Sequence, residues 1–399
     1  MSSALTDLFP LPIVQAPMAG GVSLPQLAAA VSEAGGLGFL AAGYKTADGL
    51  YQEMKQLRSL TSRPFGVNLF MPQPEYAETG AVEVYAHQLA GEAAWYETEL
   101  GDPDSGRDDG YEAKLAVLLD NPVPVVSFHF GVPGRDVLDA LRRAGTFTLV
   151  TATTAEEAVA VERAGADAVI VQGVEAGGHQ GTHRDVPEAD GSGIGLLSLV
   201  AQIREAVSLP LVAAGGLMRG SQIAAVLAAG ASAAQLGTAF LPTPESGAAG
   251  VHKEALTNPL FARTELTRAF SGRPARGLVN RFLREHGPYV PPPTRRSTTS
   301  PRRCARPPRR RATRRAWRCG RARDTGWPAP CPPGSSWRCW RANSTRRGQR
   351  CRAVARPVPV VRDDRARVRR RGTAGRSCRV RAGRARGTAR RLREAAAGR

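Results

Sequence analysis

Residues 1–293 are predicted to form an α/β domain of the (β/α)8 TIM-barrel class, with an insertion at about 70–122, followed by an Arg-rich, low-order tail over 294–399. Two observations predict this. Eight short β-branched apolar runs recur within about 240 residues, each followed by a Gly-containing turn and an Ala/Leu-rich stretch of helical period. The runs are nearly continuous in apolar character rather than alternating, as expected of parallel strands buried on both faces, and eight of them favour a closed barrel over an open doubly wound sheet.

The runs fall at 13–16, 37–40, 65–69, 123–128, 147–151, 168–172, 211–214 and 233–236. Helices are expected between them at 24–33, 47–57, 137–143, 155–163, 196–206 and 221–228. Gly165 and Gly230 follow two of these segments, where glycine suits the left-handed residue after a helix. The third crossover is far longer than a loop-helix-loop. Its Pro72, Pro74, Trp95 and the acidic stretch 97–109 point to an excursion over the barrel mouth, read either as a lid or as a solvated insertion.

The net charge of +20 hides two unlike parts. From Thr294 onward there are 35 Arg, no Lys and four acids, which leaves the preceding residues at −11. All six cysteines lie in the tail (Cys304, Cys319, Cys331, Cys339, Cys351 and Cys378) and lack the paired spacing of zinc ligands. A mildly acidic, cysteine-free body reads as a cytoplasmic enzyme without a disulfide framework. Neither a signal peptide nor a membrane span is indicated, and oligomeric state is not legible.

Barrel geometry puts reactive groups just past the C-terminal ends of strands and phosphate near the last two turns. Gly215-Gly216 follows the seventh run and Gly237-Thr238 the eighth, so backbone N–H groups can approach a phosphate and Thr238 adds a hydroxyl. After the sixth run comes Gln172-Gly173-Val174-Glu175-Ala176-Gly177-Gly178-His179-Gln180-Gly181-Thr182-His183, a flexible run that brings histidine to the mouth. An imidazole titrates near neutral pH and suits a general base for a carbon acid. His183 serves as well on spacing; position within the glycine run favours His179. The amides of Asn68 and Gln172 suit the edge of a heteroaromatic ring or, equally, a cap or turn. The Gly35-Gly36-Leu37-Gly38 run enters a strand rather than leaving one, so it is not a dinucleotide fingerprint.

Five segments in order, Gln15-Ala16-Pro17-Met18-Ala19-Gly20-Gly21, Gly66-Val67-Asn68-Leu69-Phe70, Gln172 with Glu175-Ala176-Gly177-Gly178-His179, Ala213-Ala214-Gly215-Gly216, and Gln235-Leu236-Gly237-Thr238-Ala239-Phe240, resemble the nitronate monooxygenases over roughly residues 10–290. The resemblance implies FMN at the mouth, with Met18, Asn68 and Gln172 at the flavin. It also implies that Gly177, Gly178, Gly215, Gly216, Gln235, Leu236, Gly237 and Thr238 hold the cofactor and its phosphate. His179 matches the family's catalytic histidine. The implied reaction is oxidation of an alkyl nitronate by O2 to a carbonyl compound and nitrite. FMN-dependent enoyl-thioester reductases, which use NAD(P)H, share the Glu-Ala-Gly-Gly-His run and form the alternative.

Family members continue past Tyr289 with further helices over the site, whereas this tail has the Arg, Pro, Ala, Gly, Cys and Trp content of GC-rich codons read out of frame. A slip near Pro291-Pro292-Pro293 is the expectation, with impaired activity as its consequence. The other reading is a nucleic-acid arm that uses arginines and Trp317, Trp327, Trp337 and Trp340; the absence of Lys and the six cysteines argue against it.

Overall fold

The computed structural model describes residues 5–73, 79–100, 108–184 and 193–290. The expected runs all become strands of one parallel sheet: β1 (Ile13–Gln15), β2 (Gly38–Ala41), β3 (Phe65–Phe70), β4 (Val125–His129), β5 (Phe147–Ala152), β6 (Ala168–Gln172), β8 (Leu211–Ala214) and β9 (Ala233–Leu236). Between β6 and β8, the two-residue β7 (Gly178–His179) belongs elsewhere. The sheet order is β1-β9-β8-β6-β5-β4-β3-β2, and a parallel bridge from Val14 to Leu37 joins its two ends into a barrel. β4 starts two residues later than expected, after Pro124, which has no N–H to give a neighbour.

Helices α1 (Pro25–Glu33), α2 (Ala47–Leu60), α5 (Arg135–Arg143), α6 (Ala155–Ala164), α7 (Leu196–Ala206) and α8 (Gly220–Ala228) fill the expected places. Thr46 and Thr154 start α2 and α6 by accepting from Gly49 N and Glu157 N at 3.0 and 3.1 Å. Gly165 and Gly230 are left-handed as anticipated, with φ of 94° and 100°.

The excursion at 70–122 contains two helices, α3 (Thr79–Trp95) and α4 (Tyr111–Asp120). α4 is the ordinary third crossover helix, since its Tyr111, Leu115 and Leu118 join the layer between sheet and helices. α3 is the real insertion. Its Tyr85, Leu89 and Ala93 pack on Phe270, Phe282 and Leu283 of the chain's later part, away from that layer. There the chain adds α9 (Gly250–Thr257), the hairpin β10 (Thr264–Thr267) and β11 (Ala275–Leu278), and α10 (Arg281–His286). β11 also pairs with β7, making a small antiparallel sheet β10-β11-β7. The guanidinium of Arg281 grips both oxygens of Glu92 (2.5 and 2.7 Å), tying α10 to α3. That grip holds the Glu92 carboxyl below its ordinary pKa. Glu92, Glu285 and His286 lie close enough to share a cation, but Arg281 already reaches both carboxylates.

Two layers of apolar contact hold the barrel. Outside, Leu40, Val67, Val126, Val150, Val169, Val171 and Ala213 meet the helices. Inside, Val14, Leu37, Phe39, Val125, Leu149, Ile170, Val212 and Ala233 fill the lumen, with Leu5 and Phe9 from the N-terminal stretch packed among them. The interior is tight: a Cβ on Gly66 would lie 2.3 Å from the Phe39 ring. Among the described residues no helix is long and apolar enough to cross a membrane. The tail from Thr294 lies outside the described residues.

Candidate active site

Strand periodicity places the site. Residues alternate between lumen and helices, so the inward series continues from Val125 to Ser127 and His129, from Leu149 to Thr151, from Ile170 to Gln172 and from Ala233 to Gln235. Asn68 joins them from β3, its Nδ2 donating to the carbonyl (3.1 Å) and Oγ (3.0 Å) of Ser127. The apolar lumen is thereby capped, at the C-terminal ends of the strands, by a polar layer of Asn68, Ser127, His129, Thr151, Gln172 and Gln235.

The sequence-predicted residues gather at this rim. Because β6, β8 and β9 are neighbours, the turns after them lie side by side. Gly215 and Gly216 have φ of 124° and 68°, and a Cβ on them would come within 3.1 Å of Gly173 O and 3.0 Å of Glu175 Cβ. Both glycines therefore let the β8 turn press on the β6 turn, a packing role not apparent in the sequence. Glu175 in turn accepts from Leu196 N at the start of α7, both carboxylate oxygens at 3.0 Å. Gly178 is also left-handed (φ 81°), with no atom within 4 Å of where its Cβ would be. A Cβ on Gly237 would lie 3.7 Å from Met18 Sδ, so the β1 and β9 turns meet. Leu236 ends β9 as a buried core residue, and the buried Thr238 follows in the next turn. The Oε1 of Gln235 is buried without a hydrogen-bond partner among the described residues.

Met18 owes its setting to Gln15, a fully buried glutamine that sequence reading passed over. Gln15 accepts from Phe39 N at 2.8 Å and donates to Ser23 Oγ at 2.9 Å; that hydroxyl accepts from Met18 N at 2.8 Å. A glutamine inside an apolar strand was the available signal.

The run 172–183 is not the flexible segment expected from its glycines. Gln172 clamps it, donating to His179 O (3.1 Å) and accepting from Gly181 N (2.7 Å), so both ends of its amide are engaged by the loop. Pairing with β11 sets His179 opposite Ala275. The His179 Nε2 lies 2.6 Å from Ser271 Oγ, and the Phe130 ring meets the imidazole edge-on at 5.9 Å. His183 is committed differently: its Nε2 donates to Thr151 O at 2.7 Å, and its backbone N–H donates to Glu157 at 2.7 Å. Spacing left the two histidines open; the hydrogen bonds separate them.

Aromatic and charged side chains that the sequence did not single out complete the rim. Phe70 touches Tyr44 (5.4 Å) and Phe130 (4.9 Å), and Phe130 touches His129 (4.4 Å). Arg273 lies 4.1 Å over the Phe130 ring and donates to Gln73 and the Thr182 carbonyl. Tyr44 and Phe130 hold left-handed backbone, φ 69° and 74°, a cost for bulky residues that concentrates at working sites. Burial, and then the nearby Arg273 charge, push the His129 imidazole down to about 3, so it is neutral at ordinary pH. A cleft of about 420 Å3 lined by Glu265, Arg268, Arg284 and Val290 shares no residue with the predicted cofactor set.

A closed parallel barrel with its polar side chains and an oriented histidine collected at the C-terminal rim has the layout of a (β/α)8-barrel enzyme. Comparison narrows the class. The family model described as nitronate monooxygenase matches residues 2–306. A nitronate monooxygenase of Pseudomonas aeruginosa is 46% identical over 294 residues, covering 70% of this chain and 80% of its own; one of Paraburkholderia phytofirmans is 43% identical over 277 residues, covering 68% and 74%. Among solved structures, the nitroalkane oxidase of Streptomyces ansochromogenes is 70% identical with a TM-score of 0.82, covering 88% of this chain and all of its own. FabK from Thermotoga maritima follows at 27% identity and a TM-score of 0.60, covering 88% and 98%. The chain belongs to the nitronate monooxygenase family and is an oxidoreductase. The family implies a flavoenzyme acting on a small-molecule substrate and oxygen.

Proposed function

We propose that the chain oxidises alkyl nitronates with O2 through FMN, giving a carbonyl compound and nitrite, with His179 as general base. The observation that carries this reading is His179 held on a short antiparallel ribbon at the rim, between Ser271 and the edge of Phe130. The residues present fit FMN. An orphaned Gln235 Oε1 awaits a donor, and the open side of left-handed Gly178 leaves room for a ligand to approach. Met18 and Asn68 would lie at the flavin ring, with Gly177, Gly178, Gly215, Gly216, Gln235, Leu236, Gly237 and Thr238 holding the rest. Gln172 would serve mainly by clamping the histidine loop.

The cofactor supplies the electron transfer between the organic substrate and O2. The chain's residues do the remainder. Tyr44, Phe70 and Phe130 present an apolar, water-excluding wall to an alkyl group. When the substrate arrives as the neutral nitroalkane, the His179 imidazole takes the proton from the carbon beside the nitro group; the C–H electron pair passes to the nitro oxygens and gives the nitronate that is then oxidised. Neutral His129 adds no competing positive charge.

Full-length protein loaded with FMN and given an alkyl or propionate nitronate tests this by nitrite release against NAD(P)H consumption. Nitrite without NAD(P)H supports the reading; NAD(P)H oxidation with an enoyl thioester and no nitrite replaces it with the reductase. With the neutral nitroalkane as substrate, His179→Gln is expected to lower kcat about 100- to 10,000-fold, the usual worth of a positioned base, and with the preformed nitronate the loss should be smaller. The tail boundary at 294 is likewise a proposal, and resequencing the coding DNA for an indel at the codons of Pro291-Pro292-Pro293 tests it.

A further inference from the structure

His179 has its main chain fixed by β7–β11 pairing and by Gln172, but a histidine ring still turns about two bonds. Something must choose its plane. Ser271 is the side chain placed to do so: its Oγ lies 2.6 Å from Nε2, and the residue is 1% exposed, so water does not readily take the hydroxyl's place. Second partners of this kind set ring orientation and tautomer wherever imidazole works.

The turn that carries Ser271 is itself braced. Gly272 N and Ser271 N both donate to Arg268 O (2.8 and 3.3 Å), and the Arg268 guanidinium donates back to Gly272 O at 2.8 Å. Tyr85 of α3 donates to Ala269 O at 3.0 Å, and Phe270 stacks on Phe282 of α10 with centroids 5.4 Å apart and planes 16° apart. The turn that carries the hydroxyl is thus braced by the insertion helix and by α10.

We infer that Ser271 is a positioning residue for His179, its buried hydroxyl holding Nε2 in both protonation states of the ring. The chemistry suits a group that must gain and lose a proton without moving. Because Ser271 occupies Nε2, the ring takes its proton at Nδ1: Nε2–H donates to the serine oxygen in the neutral ring, leaving Nδ1 bare, and the same hydrogen bond persists in imidazolium. Alanine offers no such acceptor, and threonine keeps it. His129 from β4, Arg273 before β11 and Gln172 from β6 are further polar or charged groups near this histidine.

This inference rests on His179 acting as base, and the test separates the two. Ser271→Ala and Ser271→Thr are made in the full chain, reconstituted with FMN, and compared on a neutral nitroalkane for kcat, KM and the pH profile of nitrite release. Ser271→Ala is expected to lose about tenfold or more in kcat, the worth of a hydrogen bond to a charged group, with KM within about twofold. Its acidic limb should move to lower pH because imidazolium loses an acceptor, and Ser271→Thr should recover most of both. Independently of turnover, 15N-histidine spectra of the substrate-free protein should show the His179 ring signals, assigned with His179→Gln among the six histidines, change tautomer balance in Ser271→Ala alone. Unchanged ring signals and pH limb in a folded, flavin-binding Ser271→Ala overturn the inference. So does equal loss in both variants with unchanged spectra, which would mark the serine as scaffold. If Ser271→Ala does not fold, the spectrum and pH limb of Ser271→Thr decide: wild-type values support the inference and shifted ones overturn it. If no variant, wild type included, releases nitrite, the proposed reaction falls while the spectra still judge Ser271.

Discussion

The lower and upper halves of the lumen are built from the same strands two residues apart, yet they answer to different demands. Below, Val14, Leu37, Phe39, Leu149, Ile170 and Val212 exclude water around a plug that includes Leu5 and Phe9. Above, Asn68, Ser127, Thr151 and Gln172 are equally withdrawn from solvent but polar, and most of their hydrogen bonds go to one another or to loops. The difference teaches that each strand starts as scaffold and ends as site. Substitutions should lose stability in the first case and geometry in the second.

The sharpest break of that contrast is Phe39→Ala. It empties a tightly packed point of the lower lumen and should cost about 3–5 kcal/mol by chemical denaturation. Wild-type stability there would mean that the lumen is not a packed core. Gly66→Ala pushes the other way, forcing a methyl against the Phe39 ring, and should cost about 1–3 kcal/mol. In the upper half, Gln172→Leu should change the melting point less, by about 1–2 kcal/mol equivalent, because two loop hydrogen bonds are lost. Its larger effect should be faster amide exchange over residues 178–181, which hydrogen-exchange mass spectrometry reads directly.

The smallest effect at neutral pH concerns His129. An unfolded chain binds its proton near 6.5, the folded one only near 3, so this group's stabilisation is complete above about pH 6.5 and drains as pH falls toward 3. His129→Asn should therefore flatten the acid side of the stability curve while leaving its neutral value little changed. A parallel acid slope in both proteins would show that another group titrates.

All eight barrel strands were legible because burial on both faces writes itself as a nearly continuous apolar run. Other elements left no such mark. β10 and β11 are four-residue strands of one hairpin, and the two-residue β7 exists only because Gly178–His179 finds a partner almost a hundred residues away. α3 lacks a clear polar face and hid inside what looked like loop. The histidine, the glycines and the amides were readable by motif and position. Their hydrogen-bonding partners were not: the Gln172 amide also grips a loop, and Ser271 sits in a turn with no local signal that His179 lies beside it.

Phe130 has a backbone suited to glycine and a ring that meets Phe70, His129, His179 and the Arg273 guanidinium. Screens for thermal robustness and screens for turnover will consequently disagree at this one codon. Glycine or asparagine there would relax the main chain while unwalling the pocket, so a directed-evolution campaign that ranks clones by heat survival alone would drift away from the catalyst it set out to improve.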